Sequence, residues 1–318
     1  MHTLVTWRYS PPNDNFELKS ADRKLGSREV LTKTTHSGLC HTDVHAKSKG
    51  CGLGHEGVGR IAEIGSEVST HKVSDRVGWG GYRQYCPDAR GFANHELDQG
   101  AFGDYAIWDE AFVYVIPGSV SSVSARPLIP PAAWRVVGIG GLGHMAVLFA
   151  KAMGCAVTAF SGREVKKDDA FQLGADFFRT TSTPNTVWRN PKSLPAASIR
   201  TSTEPGINTL LICTNEVPSF EPLLRLLERQ ATIILLTIQS TPLVIPFVPF
   251  ILLGHRIVAS TETSRQNHIA MLQFAARNNI QPWLEMFPMK SKGLKEAFRK
   301  LETGEMRFRG VLVKEPRG

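Results

Sequence analysis

Cysteine is scarce in this chain, with five in 318 residues, too few for a scaffold held by disulfides at this length. The opening MHTLVTWRYSPPNDNFELKS lacks the continuous apolar run of a secretion signal, so a reducing, cytoplasmic setting is the expectation. Basic residues outnumber acidic ones, 37 against 29, for a formal charge of +8. They are scattered, however, and no basic run is interleaved with aromatics, which argues against nucleic acid as the main partner. Attraction of a phosphorylated cofactor is a simpler use for the excess. The one long apolar stretch, Thr232 to Gly254, is broken by Pro242, Pro246 and Pro249. It reads as a buried strand, a turn and a second strand, with no membrane span. What remains is an ordinary soluble composition, 42% apolar and 21% charged, in a chain long enough for two domains of roughly 150 residues each.

Glycine, by contrast, is concentrated where it has chemical meaning. Val136 and Val137 belong to a short buried strand that runs into Gly138-Ile139-Gly140-Gly141-Leu142-Gly143. Met145, Leu148, Phe149 and Met153 then recur at helical spacing, and CAVTAF gives a second strand. This is strand, glycine turn, helix, strand. A tight turn and a close backbone approach to a pyrophosphate both exclude a Cβ, and the helix N-terminus offers N–H groups to the phosphate charge. Gly138, Gly140, Gly141, Leu142 and Gly143 are therefore candidate dinucleotide-binding residues.

The end of the second strand separates the two nicotinamide cofactors. An NAD site places an acid there, about twenty residues beyond the glycines, to hold the ribose hydroxyls. This chain has Ser161 at that point, followed by Arg163, Lys166 and Lys167. With no carboxylate and several cations able to neutralise a 2′-phosphate, NADP(H) is expected over NAD. Further on, INTLLICTN and ATIILLTIQ read as buried strands with the amphipathic SFEPLLRLLERQ between them, so this half is a doubly wound α/β unit with a parallel sheet. The tract from Thr180 to Pro205 reads as a long loop.

The first half is β-rich and irregular, with GVGRIAEIG and AFGDYAIW as short strands. Cys40 lies in GLCHTDVH, and His55 and Glu56 lie in GHE. A thiolate, an imidazole and a carboxylate are suitable zinc ligands, and a catalytic zinc needs three of them with one position open. Thr42 and His45 follow Cys40 closely enough to serve as a proton relay.

Taken together, GLCHTDVH, GHEGVGRIAEIGSEV, KVSDRVG, DQGAFGDYAIWDEAF, VGIGGLGHMAVLFAKAMG and LGAD resemble the zinc-dependent medium-chain alcohol dehydrogenases, in particular their cinnamyl alcohol dehydrogenase-like branch. The resemblance covers nearly the whole chain and implies two domains. One is a GroES-like β-rich catalytic domain, residues 1–131 with the C-terminal tail 265–318; the other is a Rossmann dinucleotide-binding domain, residues 132–264. It also implies Cys40, His55 and Glu56 as metal ligands, Thr42 and His45 as the relay, and Ser161 and Lys166 facing the 2′-phosphate. The implied reaction is hydride transfer between NADP(H) and an alcohol or aldehyde. A homodimer is implied by analogy through the apolar segment Val244 to Leu253.

Three departures qualify the resemblance. Only nine residues, AKSKGCGLG, separate His45 from His55, where the family has a longer connection. Cys51 falls in this link, as a substitute ligand or a thiol without a role. The region of the family's structural zinc holds Cys86 alone, and one thiolate cannot close a tetrahedral site, so no structural zinc is expected. The third catalytic cysteine would follow PLI, where Pro130 and Pro131 stand instead. Each loss removes a contiguous segment, as internal deletion would, and exposes apolar partners at roughly 25 cal/mol per Å². The single catalytic zinc is accordingly expected to be weakly held or lost. The alternative function is then a catalytically dead NADP(H)-binding protein. A metal-free enzyme like the quinone reductases of the same superfamily is disfavoured by the retention of Cys40, His55 and Glu56.

Overall fold

The computed structural model describes residues 1–80, 97–116, 133–181, 206–224, 226–260 and 263–314. The chain forms two compact units, Met1–Ser121 with Glu262–Ala276 and Trp283–Gly318, and Ser122–Thr261 with Arg277–Pro282.

The first unit begins with a hairpin of β1 (His2–Ser10) and β2 (Asn15–Arg23), closed over Pro11–Asn13 with Asp14 in the left-handed region at φ 41°. Next come β3 (Glu29–Leu39), the short helix α1 (His41–Ala46), β4 (Glu56–Ile64), β5 (Arg76–Gly80), β6 (Tyr105–Asp109) and β7 (Val113–Val115). β3 is the hub. β4 runs antiparallel along one edge, while the other edge is shared between β6, with Lys33 opposite Tyr105, and the C-terminal strand β15 (Arg309–Val313), with Leu39 opposite Gly310. Val30, Leu31 and Thr32 are buried in succession, so both faces of β3 are covered at its start, and Thr34, Ser37 and Leu39 are buried between more exposed neighbours further along.

Residues Cys51 to Gly54, the shortened link between α1 and β4, are all buried. Gly52 N–H donates to Leu97 O, Leu53 N–H to Trp7 O, and Ala101 N–H to Gly54 O. Leu53 joins Phe16, Leu39, Phe102 and Phe298 in one core cluster, and Cys51 belongs to it. The short link therefore fills core space itself.

The second unit has a six-stranded parallel sheet in the order β10-β9-β8-β11-β12-β13. Its strands are β8 (Ala133–Val137), β9 (Ala156–Ser161), β10 (Phe177–Thr180), β11 (Ile207–Ile212), β12 (Leu227–Leu235) and β13 (Arg256–Ala259). The helices are α2 (Gly143–Ala152), α3 (Lys167–Gln172), α4 (Phe220–Leu224) and α5 (Phe247–Leu252). The tail then supplies α6 (Arg265–Arg277), the edge strand β14 (Leu284–Pro288), α7 (Ser291–Glu302) and β15.

Three readings of the sequence are corrected here. Val244 to Leu253 is not a second buried strand: Phe247–Leu252 is a helix, with Pro249 tolerated in its first turn; Phe247, Val248, Ile251 and Leu252 are exposed, and Phe250 packs against the core. The edge strand is β13. The helix expected over SFEPLLRLLERQ stops at Leu224, and Glu228, Arg229 and Gln230 belong to β12. α2 buries Gly143, His144, Val147 and Ala150 in place of the Met145, Leu148 and Phe149 face. Cys86, Pro130, Pro131 and most of Thr180 to Pro205 lie outside the described residues. Among the described residues, no helix is long and apolar enough to cross a membrane.

Candidate functional site

Cys40 follows β3 directly and is the N-cap of α1, with extended backbone at φ −139°, ψ 179°. Its Sγ accepts from Thr42 N–H at 3.4 Å, and its own N–H donates to Asp43 Oδ2 at 3.1 Å. This reciprocal cap satisfies two of the donors a helix start leaves open, and it fixes where the thiol points. Asp43 is fully buried. Its other oxygen, Oδ1, accepts from Gly54 N–H at 3.2 Å and from His55 Nδ1 at 2.9 Å. With Nδ1 so engaged, Nε2 is the ring atom left to face the cysteine, and it lies 3.3 Å from Cys40 Sγ.

Glu56 opens β4, with Oε1 3.5 Å from His55 Nε2 and Oε2 accepting from Arg309 Nη2 at the start of β15. Room for this pair depends on Gly38, where a Cβ would lie 2.3 Å from Glu56 Oε2. Cys40, His55 and Glu56 thus offer one ligand atom each, all within 4.8 Å of one another, and form the one such cluster found among the described residues. The donor set fits a borderline-soft cation such as zinc.

Electrostatics holds the cluster in a defined state. Burial alone would favour a neutral His55, but Asp43, together with hydrogen bonds to Cys40 and Glu56, outweighs it and raises the ring's proton affinity well above the usual range. Partial burial opposes ionisation of Glu56, and Arg309 with His55 reverses this, holding the carboxyl far below the ordinary carboxylate range. Against burial, the same carboxylate drives the Arg309 guanidinium further towards its charged form.

Thr42 lies beside the cluster through its backbone. His45 is exposed in the last turn of α1. Among the described residues, neither the Thr42 hydroxyl nor the His45 ring reaches Cys40, His55 or Glu56 by a hydrogen bond. Cys51 is no ligand in this arrangement: it is 2% exposed, donates weakly to Ala46 O at 3.8 Å, and burial pushes its thiol up. Asp43 and Arg309 were missed in the sequence. The third residue after an N-cap is where a capping acid belongs, so Asp43 carried a signal; Arg309 had none within its own segment.

In the second unit, the glycine turn follows β8 directly. Gly138 adopts φ +91°, and a Cβ on Gly143 would fall 1.7 Å from Gly138 O, so both positions require glycine. The space in front of Gly140 is open, with nothing within 4 Å of a Cβ placed there. That is the opening a ligand's phosphates need at a helix N-terminus, and Gly141 and Leu142 complete the turn into α2. Ser161 is the last residue of β9, and its Oγ accepts from Arg163 N–H at 3.1 Å. Lys166 donates from Nζ to Ile139 O at 2.6 Å.

Comparison with known proteins agrees with both halves. Residues 26–118 match the model of the alcohol dehydrogenase GroES-like domain, and residues 141–277 match that of the zinc-binding dehydrogenases. Vomilenine reductase from Rauvolfia serpentina is 30% identical, with 91% of this chain and 89% of that protein covered. The alignment runs over 335 positions, more than the 318 residues present, so this chain has gaps where the relative has residues. A cinnamyl alcohol dehydrogenase structure from Sorghum bicolor superimposes with a TM-score of 0.83 at 26% identity, covering 100% of both chains. The cinnamyl alcohol dehydrogenase of Helicobacter pylori, solved with NADP(H), shares the fold at a TM-score of 0.78, with 22% identity and 98% of each chain covered. The chain belongs to the zinc-type alcohol dehydrogenases, in their cinnamyl alcohol dehydrogenase-like branch, and is an oxidoreductase by descent.

Proposed function

We propose that this protein interconverts an alcohol and its aldehyde with NADP(H), using one zinc held by Cys40, His55 and Glu56. The observation that carries the proposal is the convergence of these three ligand atoms within 4.8 Å, with Asp43 fixing the imidazole behind them. Zinc bound there would polarise the substrate oxygen as a Lewis acid, and NADPH would supply the hydride.

The remaining work belongs to the chain's own groups. Asp43 selects the histidine tautomer that presents Nε2. Arg309 keeps Glu56 ionised, ready to act as a ligand and to release the metal again. Thr42 and His45 are proposed to pass the alcohol proton outwards, a role that suits the exposure of His45. Gly138, Gly140, Gly141, Leu142 and Gly143 would hold the pyrophosphate. NADP(H) is favoured over NAD because β9 ends in Ser161 with no carboxylate at that position, and Arg163 and Lys166 follow. Ser161 and Lys166 are proposed to face the 2′-phosphate.

The organisation proposed is a catalytic domain of residues 1–131 with tail 265–318 around a nucleotide-binding domain of residues 132–264. A homodimer through the β13 edge is proposed on the exposed apolar groups Val244, Phe247, Ile251 and Leu252 near it. Cytoplasmic residence is proposed because Cys40, Cys51, Cys155 and Cys213 are free thiols, the state a reducing compartment maintains.

The test is zinc per chain after extensive dialysis, followed by cinnamaldehyde-dependent oxidation of NADPH. About one zinc, lost in Cys40→Ala, together with aldehyde turnover, is the expected result. NADPH binding with neither zinc nor turnover would instead leave a nucleotide-binding protein with a dead metal site.

A further inference from the structure

The fold brings two loops of the nucleotide-binding unit together through one side chain. The first is the glycine turn after β8, proposed above to hold the pyrophosphate. The second follows β9: Ser161 Oγ takes Arg163 N–H, and a single 3-10 turn, Glu164–Lys166, leads into α3. From the end of that turn Lys166 reaches back 27 residues, and its Nζ donates to Ile139 O at 2.6 Å. Ile139 is 2% exposed and stands between Gly138, in the left-handed region, and Gly140, with open space before it.

Glycine has more backbone freedom than any other residue, so a glycine-rich turn loses correspondingly more entropy when a ligand fixes it. A charge-assisted bond from a lysine to the carbonyl in the middle of that turn restrains it before any ligand arrives, and preorganisation of this kind raises affinity by lowering the cost of ordering.

We infer that Lys166 is a positioning residue that locks the pyrophosphate turn through the Ile139 carbonyl, so that it supports binding of NADP(H) and NAD(H) alike. This rests on the nucleotide-binding reading above and replaces its placing of Lys166 at the 2′-phosphate: discrimination between the two cofactors then falls on Ser161 and Arg163. A lysine serving only the 2′-phosphate would matter to NADPH and be indifferent to NADH.

The experiment uses the full chain, its Lys166→Met variant and its Lys166→Arg variant. Dissociation constants for NADPH and NADH are read from nucleotide fluorescence, and amide hydrogen exchange is followed over residues 137–144 without nucleotide. In K166M both dissociation constants rise by a similar factor, about tenfold, so their ratio is kept, and exchange over the turn accelerates in the absence of ligand. K166R, which retains a cationic donor, recovers most of both effects. Weakened NADPH with unchanged NADH and unchanged exchange would overturn the inference and return Lys166 to the 2′-phosphate alone. If the wild-type chain binds neither dinucleotide, the cofactor reading fails by itself. The exchange measurement still decides whether Lys166 holds the turn, since faster exchange in K166M upholds the lock and unchanged exchange refutes it.

Discussion

His55 Nδ1 donates to the fully buried carboxylate of Asp43 at 2.9 Å, and the same carboxylate accepts the N–H groups of Cys40 and Gly54. One side chain therefore aligns the thiol, the imidazole and the link between them. Asp43→Asn keeps the shape but replaces an acceptor oxygen with an NH2 group, which must face a backbone or ring N–H. Zinc affinity should fall by about ten- to a hundredfold, the usual effect of losing a carboxylate behind a metal-bound histidine. Competition with a chelator followed by metal analysis of the dialysed variant checks this. Unchanged affinity would mean that His55 is not a ligand through Nε2.

Arg309 and Glu56 join residues 253 positions apart. The pair links β15 to β4, the two strands that flank β3, so removing either partner should loosen the tail strand in the sheet of the first unit. Because the Glu56 side chain is 40% exposed, solvent screens the pair, and the coupling between Arg309→Met and Glu56→Gln should be on the order of 1 kcal/mol. A double-mutant cycle from urea unfolding measures it. Strict additivity would show that the contact does not stabilise the fold.

The nucleotide-binding unit was legible because its signals are local: valine strand, glycine turn, helix and second strand follow one another within about thirty residues, as the motif demands. The candidate metal ligands are legible as residue types in GLCHTDVH and GHE, and Asp43 lies within the first of these at a position that matches a capping acid. What the sequence hid was long-range or set by burial. Arg309 meets Glu56 only because β15 pairs with β3 across the whole chain. Apolar runs misled in two places. Phe247–Leu252 has strand-like composition yet forms an exposed helix, and Met145, Leu148 and Phe149 mark a helix correctly while naming its less buried face. Cys51 could not be assigned without seeing that the shortened link turns inwards.

Ser161 occupies the position at the end of β9 where a carboxylate would select NAD. Ser161→Asp should place a negative charge beside the 2′-phosphate and weaken NADPH, while gaining a partner for the ribose hydroxyls of NADH. A reversal of preference amounting to at least tenfold in the ratio of dissociation constants is expected, from about 1.4 kcal/mol of differential interaction. Fluorescence titration with both cofactors gives the ratio, and an unchanged NADPH affinity would remove Ser161 from the adenosine end of the site.

His255 gives the nucleotide-binding unit an acid sensitivity. It is 6% exposed, neither ring nitrogen has a hydrogen-bond partner among the described residues, and the Phe250 ring packs beside it at a centroid distance of 6.0 Å. Burial pushes its pKa down. The unfolded chain takes up a proton near pH 6.5, whereas the folded chain resists until the pH is lower, so the unfolded state binds more protons in that interval. Stability is therefore complete above about pH 6.5 and declines as the pH falls through it, with a slope of at most about 1.4 kcal/mol per pH unit for one such group. His41 and His268 are also pushed down by burial, so the wild-type decline is shared among them. His255→Phe keeps the apolar packing and removes one titrating group, and the loss in melting temperature between pH 7.5 and pH 5.5 should be smaller than in the wild type. An identical loss would show that the His255 ring is already protonated, or hydrated, in the folded protein.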